Sequence, residues 1–368
     1  MTGKIIDNNL ISVLKAGLNI KPVTDTVYDT LRNCSQQDWE QLSDWAMAQG
    51  VGGTFFDGIQ SVYRTHGNPL PDGEWGKKIK AKFLSIALQL EQRNRRQLAV
   101  MCKMGEYLKK HGCLMMVMKG QACAMWYPNP AHRAVGDIDF YLLGDYAKGN
   151  EAVRKLGVHV DDSWYKHSEF SIEGEAFENH QYFVATRGGK HYKELNEQLC
   201  KLAKDSPKEH YPNSEVLLPP LMFNALFLTC HAYAHFMSEG LRLKQVLDWV
   251  ALLQQHQQDI DWNELNRLCE RSKLIRFLEV MNTIAVKKFG VEKSADGMRC
   301  DSPYVEKVMD SILFDDDYIF SKGEGKWTQR FRIVSNMIKY RWKYRDIAQQ
   351  SVIRQLWINI SGFIFKTE

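Results

Sequence analysis

At His111-Gly112 the apolar residues of the chain change their period, and that change limits the folds open to it. Before it, from Glu74 to about Lys110, Phe83, Ile86, Leu90, Leu98 and Met101 recur at helical spacing in one long pattern. After it, Cys113-Leu-Met-Met-Val-Met118 is a short continuous apolar run bounded by Gly112 and Lys119-Gly120, as in a strand covered on both faces. A helical stretch from Gln121 to Trp126, the breaker Pro128-Asn-Pro130, a second strand Ile138-Asp-Phe-Tyr-Leu-Leu143 and a helix near Tyr146 to Leu156 follow. Glu169 to Ile172 and Ala176 to Val184 read as extended, and Glu173-Gly174-Glu175 between them has the spacing of a tight hairpin.

Helical patterns stand on both sides of this block. Ser35 reads as the N-cap of a helix over Gln36 to Gln49, with Trp39, Leu42, Trp45 and Ala46 on one face, and Gly50, Gly52 and Gly53 are expected to end it. From Pro219 the 3.6-residue period returns over Leu221 to Phe236, Leu241 to Gln255, Trp262 to Cys269 and Leu274 to Phe289. Lys190 to Pro212 and Glu292 to Gly325 are less regular and read as linkers or insertions. The pattern predicts an α+β (mixed α/β) chain: a small mixed-sheet core over 111–190, an N-terminal helical region over 1–110, a C-terminal helical domain over 215–290 and a basic, aromatic-rich helical tail over 291–368. A length of 368 residues calls for more than one structural unit, and 44% hydrophobic with 25% charged residues excludes global disorder.

Eight cysteines are scattered without a CxxC pair, which excludes a zinc ribbon and a disulfide framework and predicts reduced thiols. The N-terminus lacks a basic stretch followed by an apolar one, and no later window approaches about 18 uninterrupted apolar residues. The expectation is a cytoplasmic chain with no transmembrane segment. Net charge is only +4, yet Lys326 to Arg345 holds seven Lys/Arg and no Asp/Glu. Those cations alternate with Trp327, Phe331, Tyr340, Trp342 and Tyr344. Such a segment suits nucleic-acid contact, an anionic membrane surface, or a helix with aromatics on the core and cations in solvent.

The chemistry centres on Asp137 and Asp139. Two residues apart in an extended segment, their carboxylates project from one face roughly 6–7 Å apart. Carboxylates this close repel unless a cation neutralises them or one binds a proton, and oxygen ligation favours Mg²⁺ or Mn²⁺ over zinc. Lys119-Gly120 lies just beyond the first strand, where glycine permits close backbone approach and the next helix opens toward a phosphate. Strand alternation puts Glu178 and His180 on one face, so Glu178 can supply a third carboxylate, with Glu173 and Glu175 as competitors. Three carboxylates beside a phosphate-binding turn suit metal-assisted nucleotidyl transfer.

Lys119-Gly120, Arg133-Ala-Val-Gly-Asp-Ile-Asp139 and Glu178-Asn-His180 resemble the motifs of the uncharacterised bacterial nucleotidyltransferases within the DNA polymerase β superfamily. Leu228-Thr-Cys-His-Ala-Tyr-Ala-His235 and Leu241-Arg-Leu-Lys-Gln-Val-Leu-Asp248 are similar to the histidine-rich helix and the Leu-Arg…Asp helix that follow this family's core. The resemblance implies that Asp137 and Asp139 hold Mg²⁺ (or Mn²⁺), that Glu178 completes the site, and that Gly120 and Gln121 belong to the turn facing an NTP. It implies that Lys119 and Arg133 neutralise phosphate, and that Arg242 and Asp248 face the nucleotide. Two departures from the superfamily pattern fall on that turn: Gln121 stands where glycine or serine is usual, and Gly120 lies further ahead of Asp137.

His231 and His235 are one turn apart on a helix but lack the glutamate of a His-Glu-x-x-His peptidase and an obvious third ligand, so packing or hydrogen bonding toward the core is expected. Without the resemblance, Arg242, Lys244 and Asp248 read as the polar side of an amphipathic helix. The expected activity is transfer of an NMP from an NTP to a hydroxyl on a small molecule, tRNA or protein, with release of pyrophosphate. The rivals are a non-catalytic nucleotide-binding protein of the same fold and a toxin-like transferase acting on tRNA or protein.

Overall fold

A computed structural model describes residues 2–185, 190–205, 208–238, 240–314, 335–351 and 353, with side chains described from Asn9 onward. Five helices come first: α1 (Thr2–Gly17), α2 (Asp25–Arg32), α3 (Gln36–Ala48), α4 (Gly52–His66) and α5 (Glu74–Lys110). Ser35 caps α3 as its residue type predicts: its hydroxyl accepts from the Asp38 amide while the Asp38 carboxylate accepts from the Ser35 amide. Of the three glycines expected to end this helix, Gly50 lies just past its end, while Gly52 and Gly53 are buried in the first turn of α4. The reason is close packing, since a Cβ on Gly53 would collide with the His132 carbonyl. Glycine here makes room for a neighbouring backbone within a helix.

The middle of the chain forms the predicted small sheet. β1 (Met116–Met118) leads into α6 (Gly120–Ala124), then β2 (Ile138–Tyr141), α7 (Tyr146–Arg154), β3 (His167–Ile172) and β4 (Glu175–His180). The strand order is β1-β2-β4-β3, with β2 and β4 parallel and both outer pairs antiparallel. Glu173 (φ 50°) and Gly174 (φ 80°) make the two-residue turn between β3 and β4, both left-handed as a primed hairpin turn requires.

The two faces of the sheet differ in chemistry. Val117, Ile138, Phe140, Phe170 and Phe177 share one apolar cluster with Val100, Met101, Met104 and Leu108 of α5, and Phe170 stacks on Phe177 at 5.2 Å. The opposite face carries Met116, Met118 and Tyr141 into the helical core, and Asp139, Glu178 and His180 beside them.

The remaining helices are α8 (Lys190–Asp205), α9 (Leu221–Met237), α10 (Leu243–His256), α11 (Trp262–Arg271), α12 (Ile275–Thr283), running into a π-turn segment (Ile284–Phe289), and α13 (Val305–Phe314). α8 and α13 lie in the two stretches read as irregular. Charged residues dominate α8, and only Leu195, Leu199 and Ala203, one turn apart, bury an apolar stripe. Residues from α1, α3 and α4 share one apolar cluster with α9 to α13, so the helices before and after the sheet pack as a common core. None of the described helices is long and apolar enough to cross a membrane.

All eight cysteines are free thiols. The predicted basic segment begins outside the described residues. Within its described part, from Ser335, Tyr340 and Tyr344 are buried and Lys343 is sequestered with its Nζ donating to the Phe236 carbonyl at 3.1 Å, while Arg345 pairs with Asp346. There the aromatics face the core, as in the helix-packing reading.

Candidate active site

Residues from the sheet, α6, α9 and α10 surround a cavity of about 500 Å³, within the usual range for small-molecule sites. Asp137, Asp139 and Glu178 line one wall. The parallel pairing of β2 and β4 sets Asp139 directly beside Glu178, and strand alternation puts Asp137 on the same side at the strand's start. The sequence reading brought these three together, and they stand together.

Two polar side chains of α5 hold the loop that delivers Asp137. Asn94 Nδ2 donates to the carbonyls of Ala131 and Arg133 at 2.8 and 3.0 Å, and Gln97 Nε2 donates to the Gly136 carbonyl at 2.6 Å. Gln121 completes this buried network, donating to Asn94 Oδ1 and Gln97 Oε1 at 3.0 and 3.1 Å. Its side chain points into α5 and does not line the cavity. Gly120 does line it.

Lys119 takes φ 49° and ψ −139°, a left-handed conformation that a side-chain-bearing residue adopts only when its surroundings compel it. The turn swings its Nζ to within 2.8 Å of Asp139 Oδ1. His180 Nε2 lies 2.9 Å from the same oxygen and 3.3 Å from Glu178 Oε2. Burial alone would raise the Asp139 carboxyl, but Lys119 and His180 outweigh it and hold the group well below the usual carboxylate range. The converse applies to His180, where burial works against the imidazolium and hydrogen bonds to Asp139 and Glu178 raise its pKa. Asp137 stands exposed at the rim, and partial burial with repulsion from Asp139 and Glu178 raises its pKa.

Arg133 and Asp248 meet in a buried pair. Arg133 Nε and Nη2 donate to Asp248 Oδ1 and Oδ2, both at 2.7 Å, and the Tyr127 hydroxyl donates to Oδ1 at 2.8 Å. Both line the cavity, with the charge of Arg133 met by Asp248. The free cationic edge lies nearby on α10, where Arg242 is exposed at the N-cap. Lys244, one turn from Asp248, is pushed down to about 8 by burial and by the field of Arg133. Gln49 ties this end of α10 to α3, its carbonyl and side-chain oxygen accepting from the amides of Lys244 and Leu243 at 3.2 and 2.9 Å.

The sequence reading assigned no role to Lys166, His167 and Lys244, which line the cavity, or to His180, which is buried behind its wall against Asp139. His167 sits on β3 directly opposite His180, a pairing that follows from a two-residue turn at Glu173-Gly174 but not from a three-residue one. His231 and His235, whose Nε2 atoms are 3.1 Å apart, also face the cavity. Burial, then Lys119 and His235, keep His231 neutral by lowering its pKa well below the usual range. His167, Glu178 and His180 bring three potential ligand atoms within 4.8 Å of one another.

A family model described as an uncharacterised nucleotidyltransferase matches residues 35–290, more than half of the chain. The chain belongs to this nucleotidyltransferase family. The match runs from the N-cap of α3 through the π-turn segment after α12, so it takes in every residue lining the cavity. No curated protein and no solved structure matches the chain.

Proposed function

We propose that this nucleotidyltransferase moves an NMP from an NTP to a hydroxyl acceptor in a Mg²⁺- or Mn²⁺-dependent reaction that releases pyrophosphate, in the manner of the DNA polymerase β superfamily. The observation that carries this reading is the convergence of Asp137, Asp139 and Glu178 on one cavity wall, with Arg242 and Lys244 on α10 at the same cavity. A wall of that kind fits divalent ions: Lys119 and His180 bind Asp139, while Asp137 at the rim is repelled by Asp139 and Glu178, a conflict that a bound cation removes. Asp137 and Asp139, with Glu178, would hold the ions. Bound there, divalent cations supply Lewis acidity toward the α-phosphate and offset the charge on the leaving pyrophosphate.

The chain's own groups do the rest. Arg242 and Lys244 take the triphosphate charge, since Arg133 is committed to Asp248 and instead stiffens the floor beneath it. Lys119, anchored on Asp139, keeps that carboxylate ionised and aimed into the cavity. Glu178 orients the acceptor hydroxyl and draws on its proton as the oxygen attacks phosphorus. The acceptor is a small molecule, tRNA or protein.

The test is Mg²⁺- or Mn²⁺-dependent pyrophosphate release from each of the four NTPs, with total RNA or lysate as acceptor, for wild type and D137N. Release that D137N loses supports the reading. Silence from both proteins with NTP binding intact would transfer it to a non-catalytic nucleotide-binding role.

A further inference from the structure

Beside the carboxylates, two histidines aim ring nitrogens at a single oxygen. His167 Nδ1 is 3.5 Å and His180 Nε2 is 3.3 Å from Glu178 Oε2. Nitrogen and oxygen ligands held about 2.0–2.1 Å from a tetrahedral ion stand about 3.3–3.4 Å from one another. The two separations are therefore edges of such a polyhedron.

The outer nitrogens fix which way each ring faces. His180 Nδ1 lies 3.2 Å from the Tyr182 carbonyl, and His167 Nε2 lies 3.1 Å from Glu169 Oε1. Both partners are acceptors, so both outer nitrogens carry protons; the inner nitrogen of His167 offers a lone pair when its ring is neutral, and that of His180, which holds a proton against Asp139 and Glu178, offers one when a cation takes that proton's place. His167 Nδ1 is buried and makes no hydrogen bond. A bare buried nitrogen facing a carboxylate is unfavourable as it stands, and a cation between them removes the conflict. An imidazole whose far N–H is held by a carboxylate or carbonyl is also the arrangement that orients metal ligands.

We propose that His167, Glu178 and His180 hold a divalent transition ion of the Zn²⁺ and Co²⁺ class, in preference to Mg²⁺, at the edge of the cavity. Imidazole nitrogen selects such ions, whereas Mg²⁺ prefers oxygen and water. Three protein ligands leave a fourth position open, the pattern of a catalytic rather than a structural site. Asp139 Oδ1, 2.9 Å from His180 Nε2, borders that position. This deepens the reading of the cavity as a metal site and rests on that part of it, not on the transfer reaction.

Full-length protein, stripped of metal, is titrated with Co²⁺ and followed by visible absorption and calorimetry. The expected result is one equivalent of Co²⁺ with the strong bands of a low-coordinate, nitrogen-ligated ion, displaced by Zn²⁺ but not by about a hundredfold excess of Mg²⁺. H167Q and H180Q should each weaken binding at least about tenfold. If H180Q fails to fold, H167Q, at the accessible edge, decides. Pale octahedral bands, equal competition by Mg²⁺, or unchanged affinity in H167Q would overturn the proposal. Pyrophosphate release is read separately: a Co²⁺ site without release sinks the transfer reading alone, and release without a Co²⁺ site sinks this inference alone.

Discussion

Asp139 on β2 and Asp137 just ahead of the strand meet opposite environments, and their substitutions should differ accordingly. Asp137 is exposed, so D137N should remove pyrophosphate release while changing unfolding free energy by no more than about 0.5 kcal/mol. Asp139 is buried against Lys119 and His180, so Asp139→Ala leaves the Lys119 ammonium without its paired carboxylate and His180 with Glu178 alone. Losing one partner of a buried pair costs about 3–5 kcal/mol, and chemical denaturation should show a loss of that order together with loss of release. The Arg133–Asp248 pair behaves likewise. Arg133→Met should destabilise by about 3–5 kcal/mol, whereas the double change Arg133→Met/Asp248→Leu should recover much of it, because a fully apolar replacement leaves no charge stranded. A double-mutant cycle of unfolding free energies checks this, and strictly additive losses would show that the two side chains act independently.

At the scale of elements, the junction of α4, α5 and the turn Pro130–His132 sets where the β2 loop begins. His132 Nδ1 is 2.7 Å from Asp57 Oδ1 on α4, and its Nε2 is 3.1 Å from Glu91 Oε1 on α5. Burial works against the imidazolium, but the hydrogen bonds to Asp57 and Glu91 prevail and raise its pKa above the usual 6.5. A raised folded-state pKa means that the folded protein holds the proton more tightly than the unfolded chain. This stabilisation is complete below about pH 6.5 and fades as pH rises through the higher folded value. The stability difference between wild type and His132→Gln should therefore shrink from pH 6 upward, as urea unfolding along a pH series would report, and a difference that grows with pH would refute the assignment. Gly53 marks the same junction from α4: Gly53→Ala pushes a methyl group onto the His132 carbonyl and should destabilise by about 1–3 kcal/mol, despite alanine being the better helix former.

Across the whole molecule, one apolar core joins helices from the two ends of the chain. Leu14, Trp39 and Phe55 lie in the same cluster as Trp249, Phe277 and Phe289. α5 links this core to the sheet: Ile79, Phe83 and Ile86 of its first half enter the helical cluster, and Val100 to Leu108 of its second half enter the cluster beneath the strands. The 37-residue helix is about 55 Å long, enough to serve both. Calorimetry should therefore record one cooperative transition. A chain lacking residues 1–66 should lose cooperative unfolding, because it strips the cover from Trp249 and its neighbours. Two well-separated transitions would show instead that the helical regions and the sheet fold apart.

Period and spacing by themselves determined the extent of α5, the four helical patterns after Pro219, the β3–β4 hairpin and the shared face of Asp137 and Asp139. Each of these rests on short-range chemistry: side-chain period, turn preference, and two acidic residues on one strand face. What sequence did not disclose depends on contacts between distant segments. Gly53 is a helix residue because the His132 backbone passes close by, and Gln121 belongs to a buried amide network because Asn94 and Gln97 approach it from α5. Lys244 becomes a cavity residue because α10 is tied to Gln49, and Arg133 faces Asp248, 115 positions away, rather than solvent. His167 meets Glu178 and His180 only through the register of the sheet. Local pattern fixes which residues share an element, whereas a binding site is made where separate elements meet, and tertiary packing alone decides that.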